Sequence, residues 1–218
     1  MDCMKVCVVT SGAARLPECD VALFGFERLG AVDYESELSG KSEKFEEVAR
    51  LTRAAGCGVV CGCITSSRGA VRKSAAAACS GKLLGISDMC RVFGDEEYKS
   101  GASLGLYMLG GCRAGVLIEN DIYFPECMRS LAACGCSIVL FLSEGLRPVH
   151  SVLMRAYAYL YGVPVIGCAG RTALFAETSG GLATSNLPLT LFETSRAPCW
   201  RTVTSRMRGA AEDDAADF

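Results

Sequence analysis

The chain alternates short apolar runs with amphipathic and turn-forming stretches. Residues 5–10 (KVCVVT) and 21–26 (VALFGF) are compact β-branched or aromatic runs bounded by turn residues, the pattern of strands buried on both faces. Over residues 42–55, Phe45, Val48, Ala49, Leu51 and Ala55 recur at helical spacing, with acids in the first turn and Gly56 beyond the end, which predicts a helix. Residues 58–64 (GVVCGCI) are too short for a helix and predict a third strand, closed by Thr65, Ser66 and Ser67. Residues 71–86 predict two extended pieces around Ser80-Gly81, and residues 104–108 are expected to pair with 115–118 across Gly110-Gly111. A short helix over 125–133 with Pro in its first turn, a strand over 137–142, a helix over 151–161 and a strand over 163–168 follow. Two weaker extended runs flank Gly180-Gly181. Strands alternating with helices in this way define an α/β fold class.

Composition narrows the picture. The 218 residues suggest a single domain, taken as residues 1–204, followed by an acidic, Ala-rich and disordered tail over 205–218. Half of the residues are apolar and 21% are charged, which excludes a disordered or fibrous chain. A net charge of -2 with a pI near 5.6 supplies no basic field for a phosphate backbone, so no nucleic-acid partner is expected. The opening MDCMKVCVVT carries no secretory pattern, and the longest uncharged stretches, such as 156–170, fall short of a membrane helix. No membrane association and a cytoplasmic setting are therefore expected.

Fourteen Cys and a single His, His150, are the unusual counts. No C-x-x-C occurs and no second His is present, which disfavours structural zinc; no metal and no cofactor are expected. Reduced thiols pack as small hydrophobes, so no structural disulfides are expected. Gly40-Lys41-Ser42 fails as a phosphate loop because Glu35 stands where its first Gly belongs. His150, at a helix start without a nucleophile nearby in sequence, reads as structural or surface. Cys57, Cys61 and Cys63 share one strand face, and the adjacent Gly58 and Gly62 favour a crowded buried strand over a metal or redox cluster; Cys134 and Cys136 read likewise.

One segment carries a signature. Residues 114–142 (AGVLIENDIYFPECMRSLAACGCSIVLFL) resemble the nucleophile region of the nitrilase superfamily of carbon–nitrogen hydrolases, matching it at Gly115, Val116, Ile118, Asp121, Phe124, Pro125 and Glu126. Residues 23–27 (LFGFE) are similar to the family strand that ends in a catalytic glutamate, residues 73–84 to the segment preceding its lysine, and residues 155–169 to a later helix–strand unit. The resemblance implies a nitrilase-type α-β-β-α sandwich of two mixed sheets flanked by helices, and a homodimer.

The family hydrolyses amides and nitriles with a Glu as proton carrier, a Lys that stabilises the oxyanion and a Cys nucleophile. By resemblance, these positions fall on Glu27, Met89 and Glu119, so only the glutamate is retained. Asn120, Asp121, Tyr123 and Phe124, beside Glu119, are further pocket candidates. Cys90 or Cys127 as a displaced nucleophile gives way to a buried thiol. Losing one oxyanion stabiliser typically costs about 2.7–4 kcal/mol, so standard amidase or nitrilase catalysis is not expected.

The expected function is a divergent family protein, a pseudoenzyme acting as a small-molecule binding or interaction module. The alternative is an active hydrolase of a small amide C–N bond using Glu27 and Glu119. Two carboxylates sharing a pocket would recruit a cation or an amine-bearing ligand, unless Glu119 is solvated or paired with an Arg such as Arg113.

Overall fold

The computed structural model describes residues 3–12, 15–93 and 97–195. In chain order the elements are β1 (Cys3–Val9), β2 (Val21–Phe24), β3 (Ala31–Asp33), α1 (Tyr34–Leu38), α2 (Lys44–Ala55), β4 (Gly58–Ser67), β5 (Ala70–Cys79) and β6 (Lys82–Asp88). They continue as β7 (Gly105–Leu109), β8 (Cys112–Ile118), a 3-10 turn (Glu119–Tyr123), α3 (Pro125–Ala133), β9 (Ile138–Ser143), α4 (Pro148–Tyr161), β10 (Val165–Ala169), β11 (Thr172–Ala176), β12 (Leu182–Ser185) and β13 (Leu189–Ser195).

Two mixed sheets stack face to face. The first runs β13-β1-β2-β4-β5-β6, with β3 added beside β4; the second runs β12-β11-β10-β9-β8-β7. The core between them joins Val6, Val8, Leu23, Val60 and Ala77 of the first sheet to Val116, Ile118, Leu140, Leu142 and Ile166 of the second. Outside the first sheet, Phe45 and Val48 of α2 pack over Cys7, Ala22, Val59, Cys61 and Cys63. Outside the second, Met128 and Leu131 of α3 and Met154, Tyr157 and Ala158 of α4 pack over Leu117, Val139 and Phe141. The layers are helix, sheet, sheet, helix, as expected from the sequence. No helix among the described residues is long and apolar enough to cross a membrane.

Local chemistry accounts for the element boundaries. Both carboxylate oxygens of Glu37 accept from the first amides of α2, Lys44 N at 3.0 Å and Phe45 N at 3.1 Å, which caps the helix from outside, and Gly56 ends it at φ 68°. Pro148 opens α4 and Gly162 closes it at φ 63°. That helix starts three residues before the expected 151 because His150 N already bonds back to the Arg147 carbonyl at 2.9 Å. Four elements had no counterpart in the sequence pattern: β3, α1, the 3-10 turn and β13. The last is an edge strand with one buried side chain, Phe192, and it becomes a strand by pairing antiparallel with β1 from Cys3↔Ser195 to Val9↔Leu189. No disulfide joins the described cysteines, and Cys61 and Cys63 are fully buried, as the packing view of that strand required. The tail at 205–218 lies outside the described residues.

Candidate functional site

Strands β1 and β2 run parallel to each other, as do β9 and β10, and all four end at the same side of the sandwich, where Thr10, Gly25, Glu144 and Gly170 begin the loops that follow. The carboxyl ends of parallel strands are where α/β proteins open crevices. Here they enclose a cavity of about 570 Å³ lined by Thr10, Ser11, Glu27, Arg28, Ser143 and Glu144 among others. Glu27 is exposed at this cavity. Gly62 makes the turn beneath it fit: a Cβ there would lie 3.1 Å from both the Phe26 amide nitrogen and its ring.

Glu119 occupies the sharp turn at the end of β8. Its φ of +47° is a left-handed conformation that L residues rarely adopt, and holding it costs on the order of 1–3 kcal/mol. The side chain is 9% exposed and enclosed by donors. Glu144 N donates to Oε1 at 2.6 Å, and Ser143 Oγ lies 3.0 Å from Oε2. Ser143 Oγ is also 2.8 Å from the Gly145 carbonyl, so its single proton is shared between two acceptors.

A lysine does reach this point. Lys73 Nζ, carried by β5, lies 3.4 Å from Glu119 Oε1 and 2.9 Å from Glu144 Oε2, and sits 4.9 Å over the Tyr98 ring. Burial works to lower its pKa, but the bond to Glu144 and the charges of Glu119 and Glu144 outweigh burial, and the net direction is upward. Lys73 is therefore held as an ammonium between two carboxylates. It, not Arg113, is the partner of Glu119; Arg113 instead donates to the Cys134 carbonyl at 2.7 Å.

Met89 is fully buried in the core between the sheets, with its amide bonded to the Lys73 carbonyl at 2.8 Å. The ammonium thus arrives from the strand beside the position where the resemblance expected it. Of the residues expected at the site, only Glu27 lines the cavity; Glu119 and Met89 do not, and Asn120, Asp121, Tyr123 and Phe124 lie around the 3-10 turn. Asn120 is buried. Asp121 accepts from Cys90 N and Arg91 N, both at 2.9 Å, and from Ile118 N at 3.2 Å. Burial pushes its carboxyl up to about 6 against those three bonds. Tyr123 Oη lies 3.0 Å from His150 Nε2, and Phe124 stacks under the Arg91 guanidinium at 5.2 Å. His150 is buried, which excludes the surface role; burial lowers its pKa, with Glu119 opposing.

Lys73, Ser143 and Glu144 were not singled out from the sequence. Glu144 had a usable signal, since it directly follows a strand buried on both faces. Lys73 had a weaker one, a charge at the mouth of an otherwise apolar Ala run.

Residues 15–185 match the sequence profile of the carbon-nitrogen hydrolase family. Among solved structures, the chain is similar to an amidase from Nesterenkonia sp., at 14% identity and TM-score 0.69, over 98% of this chain and 95% of that one. A variant of the Nesterenkonia AN1 amidase from the nitrilase superfamily matches at 16% identity and TM-score 0.69, over 95% and 94%. A variant in complex with butyramide matches at 16% identity and TM-score 0.70, over 99% and 97%. These likenesses show the fold, the nitrilase-type sandwich. Comparison with curated proteins finds no match.

Proposed function

Because the chain belongs to the carbon–nitrogen hydrolase family, we propose that it has kept the family's pocket while giving up standard amidase and nitrilase catalysis. On this reading it is a binding module for a small molecule. The observation that carries it is the state of Glu119. A side chain at the nucleophile position must be free to attack, yet this one is engaged on both oxygens by Glu144 N, Ser143 Oγ and Lys73 Nζ. The same ammonium is committed to Glu144, so it is not available to an oxyanion. A cavity of about 570 Å³ suits a small ligand. Glu27 and Glu144 on its wall favour an amine or amide N–H donor over an anion.

A second reading, hydrolysis of a small amide by Glu27 and Glu119, draws support from the same Lys73, because an ammonium does come against the Glu119 and Glu144 carboxylates. There Glu119 would attack the carbonyl carbon, Glu27 would carry protons, and Lys73 would have to release Glu144 to meet the oxyanion.

Incubation with a panel of small amides and nitriles separates the two readings. The binding reading expects no turnover above the uncatalysed rate, with ligand-dependent rises in melting temperature that Glu27→Gln removes. Turnover abolished by both Glu27→Gln and Glu119→Gln would overturn it.

A further inference from the structure

At the end of the sandwich opposite Glu27, the chain places thiols together that are far apart in sequence. Cys19 immediately precedes the Asp20 that leads into β2, Cys57 precedes β4, and Cys79 ends β5. They line a second cavity, of about 490 Å³, with Asp20, Thr52 and Arg53 on its wall. Cys7, fully buried in β1, lies behind them in the layer covered by α2. Cys7, Cys19 and Cys57 lie together in the cluster packed beneath α2.

We propose that Cys19 and Cys57 form an oxidisable dithiol, which closes to a disulfide when a hydroperoxide enters this cavity. Backbone geometry permits the bridge. β2 and β4 pair in parallel with Val21 opposite Gly58, and Gly58 N bonds to the Asp20 carbonyl at 2.9 Å. Asp20 therefore stands opposite Cys57, one strand spacing away at about 4.8 Å, with Cys19 next to it in the chain. The chain bends out of the regular strand pattern before β2, so Cys19 joins Cys57 in the apolar cluster on the α2 side of this sheet, and both side chains lie on the one face from which a disulfide can form.

The two thiols also differ in the way the chemistry requires. Hydrogen bonds from Cys57 and Cys7 lower the pKa of Cys19, against burial and the nearby Asp20 charge. Cys57 is raised by its bond to Cys19 and by burial. Cys19 is therefore the thiolate and Cys57 the reserve thiol.

In the first step the Cys19 thiolate attacks the peroxide, forming an S–O bond as the O–O bond breaks, and the departing oxygen leaves as water or alcohol after taking a proton. In the second, Cys57 gives up its proton and attacks the sulfenic sulfur, forming S–S as S–O breaks and releasing water. Two electrons pass from the thiols to the peroxide. Cys7 is the less suited partner, because it is fully buried and does not line the cavity.

The test uses the reduced full-length chain treated with hydrogen peroxide, alkylated, digested and mapped by mass spectrometry. The expected result is the loss of two of the fourteen thiols and a cross-linked peptide pair joining Cys19 to Cys57. Cys57→Ser should leave Cys19 as a sulfenic acid that a cyclic 1,3-diketone traps, and Cys61→Ser should leave the bridge unchanged. The wild-type map does not depend on how well any variant folds. The proposal is overturned if Cys19 stays alkylatable at a peroxide dose that oxidises the exposed Cys3 and Cys134, or if the bridge forms from Cys19 to Cys7 or Cys79 instead.

Discussion

Glu119 carries burdens that a surface glutamate avoids. Its backbone is left-handed, its side chain is buried, and its charge has lost most of its water. Two hydrogen bonds and one ammonium offset that lost hydration. The ammonium is the part a single substitution can remove without disturbing the turn. Lys73→Met leaves Glu119 buried without a cation, an error that costs about 3–5 kcal/mol when the pair is fully buried. Glu144, the other carboxylate of the network, keeps 48% of its side chain exposed and regains water, so a loss of about 2–3 kcal/mol is expected. Adding Glu119→Leu removes the stranded charge, and the double variant should recover much of the loss. Urea unfolding at constant slope measures both. Strict additivity would mean that Lys73 and Glu119 do not act as a pair.

At the scale of elements, the strand at 137–142 and the helix at 125–133 were legible because run length and period are local properties, and both formed within a residue or two of expectation. Strand β13 was not legible, because its pairing with β1 is set across the length of the chain. The site divides along the same line. Short motifs pointed to Glu27 and Glu119 as candidates, whereas the Lys73 ammonium beside Glu119 depends on β5 of one sheet facing β8 of the other, which no sequence window contains. Asp121 shows what such long-range ties do. Its carboxylate joins the loop after β6, through Cys90 N and Arg91 N, to the end of β8, through Ile118 N.

Burial raises the folded-state pKa of Asp121 to about 6, above its ordinary value, so the folded protein holds this proton more tightly than the unfolded chain. Its contribution is complete below about pH 4 and is lost as pH rises past 6, by about 3 kcal/mol for a carboxyl held near 6 rather than near its ordinary 4. Asp121→Asn has no such titration. The stability difference between wild type and this variant should therefore be largest near pH 4 and shrink towards pH 7, as followed by thermal or urea unfolding across that range. A difference independent of pH would mean that the carboxyl is not held protonated in the fold.

For the whole molecule, the two ends of the sandwich are occupied by cavities, and the helical faces are left to meet other surfaces. The outer side of α4 is unlike an ordinary solvated face. Val149, Val152, Tyr159 and Leu160 are 40%, 63%, 45% and 38% exposed, and with Ala156 they recur at i, i+3, i+7, i+10 and i+11, one stripe of a helix. The inner side of the same helix already packs on the second sheet through Met154, Tyr157 and Ala158, so the stripe is surplus to the monomer's core. Contiguous exposed apolar surface of this kind is a mark of association. A second copy related by a two-fold axis would lay stripe against stripe. Sedimentation of the full chain is therefore expected to give twice its 23.0 kDa mass. Val152→Lys places two ammonium groups near that axis, where like charges cannot be hydrated, and should shift the mass to that of the monomer without loss of melting temperature beyond what dissociation explains. A variant that remains dimeric would move the interface away from α4.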